Sequence, residues 1–138
     1  MRPIDPQNLI RAAMGARKRA AAKHSGFKVG AALLTRRGEI ITGANVESDS
    51  YGLACCAERV ALFKALSEGK RGFTMIAVVA RIAGGPMPCG ACRQLLVEYA
   101  PEIEVWVADP RRIAAARRFL IADLISQPFV LEPVKSAR

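Results

Sequence analysis

The stretch FTMIAVVAR (73–81) constrains the fold of this chain more than any other. It is an unbroken apolar run without the polar alternation of a strand that faces water on one side. Such a run predicts a central strand buried on both faces, and therefore a sheet covered by other layers. The downstream segments narrow the choice. GGPMP breaks the chain, GACRQLLVEYA reads as a helix ended by Pro101, and EIEVWVAD reads as another strand. Upstream, FKVGAALLTRRGEIITGANV predicts a hairpin over about 27–46 with a tight turn at RRGE. Residues 6–23, with Asp5 as N-cap and Pro6 in the first helical position, predict a helix. ACCAERVALFKALSEG predicts a second helix, closed by Gly69. DPRR is a turn, and RFLIADLI carries no pattern that favours one element. After the hairpin, strand and helix alternate, so the expected fold class is α/β: a three-layer α/β/α sandwich around a mixed sheet. Its 138 residues suit one domain, 1–138, with 128–138 as a C-terminal tail.

Neither the start, MRPIDPQNLI, nor any later run resembles a signal peptide or a membrane span. The expectation is a soluble cytoplasmic protein without membrane contact, whose thiols stay reduced. Four cysteines in that setting point to metal ligation, catalysis or core packing before disulfides. The 21 Lys and Arg against 12 Asp and Glu give +9, which raises nucleic acid as a partner. Much of the excess lies in ARKRAAAK (16–23) and RRIAAARR (111–118), with no aromatics interleaved. These read as solvated basic helix faces, and nucleic-acid binding is not expected.

Two cysteines sit three apart in PCGAC (88–92), at the start of a predicted helix. There both sulfurs can turn to one point, and the helix N-terminus favours thiolate. Alone, the motif fits a redox dithiol, half a zinc site or packed cysteines. ACCAERVALF supplies a second pair at a second predicted helix start. Neighbours on a helix point about 100° apart, so Cys55 and Cys56 do not bind one ion together. One of them with Cys89 and Cys92 makes three ligands and leaves a position for water, the arrangement of a catalytic zinc. Zinc deaminases carry a ligand, any residue, then Glu, followed by P-C-x-x-C, with the Glu moving protons. Cys56-Ala57-Glu58 and Pro88-Cys89-Gly90-Ala91-Cys92 match that pattern, with Cys in place of His, and Cys55 falls to the core.

Glu58 also shares its helical phase with Ala54, Ala61, Leu62 and Ala65, away from Lys64, Ser67 and Glu68. That places a carboxyl group inward beside the metal. Arg59 answers an electrostatic need. Three thiolates and Zn²⁺ sum to a negative charge that opposes ionisation of a bound water. A guanidinium donating to a sulfur offsets it.

With these residues in place, the chain resembles the small cytidine deaminases that hold zinc with three cysteines and assemble as homotetramers. FKVGAALL (27–34), GANVESDSYG (43–52), CCAERVALFKA (55–65) and PCGACRQLLVE (88–98) carry the resemblance, in the family's order. It implies a cytidine-deaminase-like fold with one Zn²⁺ per subunit on Cys56, Cys89 and Cys92, and Glu58 as the catalytic proton carrier. It further implies Phe27 and Phe129 beside the base, Asn45 and Glu47 on the ribose hydroxyls and the Ala57 backbone on the base. Tyr51 would reach a neighbouring subunit's site. The implied reaction is hydrolytic deamination of cytidine or deoxycytidine to uridine or deoxyuridine and ammonia, a step of pyrimidine salvage. Independently of any family, an amide and a carboxylate two apart on one strand face suit a vicinal diol.

The chain departs from the family pattern in three places. Lys23-His24-Ser25 stands where Pro-Tyr-Ser is usual, Ser48 and Asp49 replace an Asn and a small residue, and LISQPF has its proline moved. All border the substrate or the subunit contacts. His24, the only histidine, reads as a loop residue. Four rival readings compete: a deaminase of modified or antibiotic nucleosides such as blasticidin, a polynucleotide deaminase, a zinc-stabilised nucleic-acid module, and a thiol oxidoreductase. The Asn45/Glu47 pair and Glu58 favour the nucleoside deaminase over each.

Overall fold

The structure, a computed structural model, describes residues 4–132. Helix α1 (Pro6–Arg17) leads to an antiparallel pair, β1 (Val29–Thr35) and β2 (Ile40–Ala44). Then come α2 (Ala57–Ser67), β3 (Phe73–Ala80), α3 (Gly90–Tyr99), β4 (Glu104–Ala108), β5 (Arg117–Leu120) and a single helical turn, α4 (Ile121–Leu124). The strands form one mixed sheet in the order β2-β1-β3-β4-β5. Strands β3 and β4 run parallel, and α3 supplies the crossover that parallel neighbours need.

The run that reads as doubly buried is the central strand. Ile76 and Val78 pack into a core with α2 and α3, while Ala77 and Val79 pack into a second core with α1. Strands β1 and β4 divide in the same way. Ala31, Leu33, Val105 and Val107 face one side; Ala32, Leu34, Trp106 and Ala108 face the other. Three layers result, with helices on both sides of a mixed sheet, as expected.

Two glycines let helices sit directly on strands. A Cβ on Gly30 would lie 2.0 Å from the Ala13 carbonyl oxygen, and one on Gly43 would lie 2.6 Å from both Ala57 O and Ala61 N. Only glycine fits such close approaches.

Three expectations need correction. The first helix ends at Arg17, not at residue 23. Ala21 N donates to Asn45 O and Glu47 N to Ala21 O, so pairing with the end of the hairpin overrides the helical propensity of the alanines. The patch 111–118 is not a helix face. It holds a 3-10 turn and edge strand β5, and Arg111 and Arg118 pair with Asp109 and Glu104. Neither Cys55 nor Cys56 lies inside a helix: Cys55 pairs with Val46 in an isolated bridge, and Cys56 is the extended N-cap of α2. RFLIADLI resolves into β5 and α4. Residues 133–138 of the expected tail lie outside the described residues.

Candidate active site

Helices α2 and α3 bring their N-termini together at one end of the sheet, and each begins with cysteine. Cys56 is the N-cap of α2, Cys89 is the N-cap of α3, and Cys92 stands in the first turn of α3. Neither N-cap side chain accepts a capping bond from a backbone N–H of its own helix, so both sulfurs are free to turn toward each other. Cys56 Sγ lies 3.8 Å from Cys89 Sγ, and Cys89 Sγ lies 3.5 Å from Cys92 Sγ. Thiolates bound to one zinc at about 2.3 Å with tetrahedral angles stand about 3.8 Å apart, so the set fits that ion. Among the described residues no fourth Cys, His, Asp or Glu joins this group. Cys55, in its bridge with Val46, is outside it.

The charges fit as well. The neighbouring Cys92 thiol and the Arg59 guanidinium hold the Cys56 thiol well below the ordinary range. The Cys92 thiol holds its proton more tightly than usual, pushed up by the adjacent Cys56 sulfur and by burial. A metal ion must displace that proton. Arg59 Nη2 donates to Cys56 Sγ at 3.5 Å, and the thiolate partner raises the guanidinium's own pKa. The guanidinium therefore offsets part of the sulfur charge, and the two helix N-termini add to its effect.

Glu58, in the first turn of α2, is only 5% exposed. Burial pushes its carboxyl up to about 7; the nearby Cys56 charge adds, while its own backbone N–H, the Cys92 thiol and Arg59 act the other way. A buried carboxyl group beside three sulfurs can both hold and release a proton near neutrality.

Asn45 and Glu47 leave β2 toward this end and organise the loop before β1. Asn45 accepts from Val29 N at 2.8 Å and donates to Phe27 O at 2.9 Å. Glu47 accepts from His24 N, Ser25 N and the Ser25 hydroxyl. A recess of about 160 Å³ has Asn45, Glu47, Ala54, Cys56 and Arg59 in its lining.

Residues 4–108 match the family described as the cytidine and deoxycytidylate deaminase zinc-binding region. The chain belongs to this family. A cytidine deaminase from Halalkalibacterium halodurans is 54% identical over 98 residues, covering 71% of this chain and 74% of that protein. The crystal structure of cytidine deaminase from Burkholderia pseudomallei superposes with a TM-score of 0.87 at 45% identity, covering 91% of this chain and all (100%) of that one. A blasticidin-S deaminase from Bacillus cereus is more distant, 38% identical over 87 residues and covering 57% of this chain and 62% of that protein.

The fold of this deaminase gathers Cys56, Cys89, Cys92, Glu58 and Arg59, with Ala57 buried at the start of α2. Phe27, Tyr51 and Phe129 are not in the protein core; they are 42%, 79% and 69% exposed. Two residues not singled out in the sequence hold the surroundings of the site. Arg93 Nε donates to Pro88 O and Nη1 to Leu124 O, both at 2.7 Å, which fastens the PCGAC turn to α4. Gln94 bonds Phe129 O at 2.8 Å and accepts from Phe129 N at 3.0 Å. Both come directly after Cys92, and that adjacency is the signal that could have drawn attention to them.

Proposed function

We propose that this chain is a zinc-dependent cytidine deaminase that converts cytidine and deoxycytidine to uridine and deoxyuridine with release of ammonia. The observation that carries the reading is the buried carboxyl of Glu58 in the first turn of the helix whose N-cap, Cys56, belongs to the three-sulfur cluster. Zinc, when bound, supplies the Lewis acidity that lets a water ionise near neutrality. Glu58 takes the proton from the attacking water and delivers it to N3 as the C4–O bond forms. The proton left on the new C4 hydroxyl is then passed by Glu58 to the amine, which departs as ammonia as the C4–N bond breaks and the C4 carbonyl forms. Arg59 holds the charge of Cys56 down, and Cys89 and Cys92 complete the ligand set.

Phe27 and Phe129 flank the base, and the Ala57 backbone contacts it. Asn45 and Glu47 meet the ribose hydroxyls with the lone pairs that the loop leaves free. The subunits assemble as a homotetramer, with Tyr51 reaching the adjacent site. Exposed Tyr51, Leu53, Phe63 and Phe129 give that assembly apolar surface to bury. Among the described residues no helix is long and apolar enough to cross a membrane. The activity belongs to pyrimidine salvage in the cytoplasm. The test is ammonia release from cytidine and deoxycytidine by protein of measured zinc content. One zinc per chain with turnover of either substrate is expected; a zinc-loaded protein that releases none would refute the reading.

A deaminase of modified or antibiotic cytosine nucleosides is the second reading, favoured by the unusual residues Lys23, His24 and Asp49 in the two loops that meet at Glu47. Blasticidin turned over while both natural nucleosides are refused would favour it.

A further inference from the structure

The chain beyond α4 has little of its own to hold it. Residues 126–132 form neither helix nor strand, and Phe129, Val130 and Leu131 are largely exposed. Among the described residues, the hydrogen bonds that reach 126–132 come from one side chain, Gln94 of α3. Its Nε2 donates to Phe129 O at 2.8 Å and its Oε1 accepts from Phe129 N at 3.0 Å. One amide therefore grips both main-chain polar groups of one residue.

The grip is oriented by a third group. One turn along α3, Glu98 Oε2 accepts from the same Nε2 at 3.1 Å. A carboxylate only accepts, so Glu98 fixes which end of the Gln94 amide carries the N–H groups. One N–H then goes to Glu98, the other to Phe129 O, and the amide oxygen is left for Phe129 N. Just before Gln94, Arg93 Nη1 donates to Leu124 O at 2.7 Å. Helix α3 thus carries Cys89 and Cys92 at its start and both anchors of the 124–129 segment directly after them.

This arrangement sets the place of Phe129 relative to the sulfurs. It holds the main chain and leaves the ring uncommitted. An exposed segment without such an anchor samples many conformations, and ordering it on contact with a ligand subtracts from affinity. We infer that Gln94 is a positioning residue: oriented by Glu98, it fixes the Phe129 main chain so that the ring meets the cytosine base already in place. The inference rests on the proposed deaminase reading, in which Phe129 flanks the base. An aromatic ring beside the base touches substrate and transition state alike, so loss of its placement is read in KM rather than in kcat.

Gln94→Met keeps the length of the side chain and its helix propensity and removes both bonds to Phe129. With cytidine as substrate, KM should rise about tenfold, the order expected for two lost hydrogen bonds. The kcat should stay within about threefold, with zinc per chain unchanged, because the ligands and Glu58 are untouched. Phe129→Ala should raise KM at least as far. Gln94→Met/Phe129→Ala should match Phe129→Ala alone, since Gln94 acts only through that residue. Chymotrypsin, which cuts after accessible aromatic residues, reads the segment without any turnover. Cleavage after Phe129 should be at least about tenfold faster in Gln94→Met than in wild type, as for a segment released from its anchor. Unchanged KM or unchanged cleavage in Gln94→Met, equal effects on KM and kcat, or additive effects in the double variant would each overturn this inference and leave the deaminase reading standing. A zinc-loaded wild type that releases no ammonia from cytidine or deoxycytidine would overturn that reading and this inference with it.

Discussion

Arg59 Nη2 reaches Cys56 Sγ across 3.5 Å, joining the first turn of α2 to the sulfur of its N-cap residue. The Nε of the same guanidinium is buried without a partner among the described residues, so the side chain is committed to this contact at some cost. Its return is electrostatic. Three thiolates around one divalent ion leave an excess negative charge, which an adjacent cation relieves.

Arg59→Ala should therefore loosen the metal and slow the reaction together. Loss of such a supporting contact to a metal ligand typically costs about 10–100-fold in affinity or activity. Zinc competition against a chromophoric chelator, run beside an ammonia assay, measures both. Should the variant match wild type in both, the sulfur contact has no electrostatic role.

Glu58→Gln separates chemistry from assembly. The amide fills the same space in a site where the carboxyl is 5% exposed, and it removes only the ability to exchange a proton. Zinc content and thermal midpoint should stay near wild type while kcat falls by at least about 10², the usual worth of a general acid–base group. Near-normal turnover would show that another group moves the proton.

Glycine positions test the link from packing to site. Gly43→Ala and Gly30→Ala each force a Cβ into helix backbone, at 2.6 Å from Ala57 O and 2.0 Å from Ala13 O respectively. Overpacking of this kind costs about 1–3 kcal/mol or more in unfolding free energy. The two should differ at the metal. Gly43 supports the turn of α2 just after Cys56, whereas Gly30 supports α1 on the other face of the sheet. Denaturant midpoints should fall in both variants, and zinc affinity only in Gly43→Ala. Equal losses of zinc affinity would mean that general destabilisation, not displacement of α2, governs the site.

Much of the fold is readable in the chain because the signals are local. A strand buried on both faces needs no alternation, and 73–80 shows none; Ile76 and Val78 divide from Ala77 and Val79 by pleat alone. The spacings of Cys56 to Glu58 and Cys89 to Cys92 also survive translation into space, since each pair straddles a helix start. Cys55 stays off the metal for a reason other than helical phase: it lies in a bridge ahead of α2, not on another helical face. The features hidden from the sequence are long-range. No local pattern tells Ala21 to pair with Val46 or residues 117–120 to join a sheet edge. The Lys23–Asp49 pair likewise becomes visible only when two loops meet.

Asp109 closes β4 and is almost fully covered, yet it is charged. The Arg111 side chain, then the Arg111 backbone N–H, hold its carboxyl at about 2 against an ordinary 3.8. Because the folded value lies below the unfolded one, the contribution to stability is full above the ordinary value and drains away as pH falls toward the folded one. The unfolded chain binds the proton first. Asp109→Asn removes the charge and one acceptor of the guanidinium fork, so it should destabilise the protein near neutrality and matter progressively less in acid. Urea unfolding of wild type and variant, both metal-free so that acid release of zinc does not enter, gives the gap directly. It should be level from about pH 7 to pH 5 and clearly narrowing by about pH 3, as linkage requires. A gap that holds constant across that range would mean that the ion pair contributes nothing through its charge.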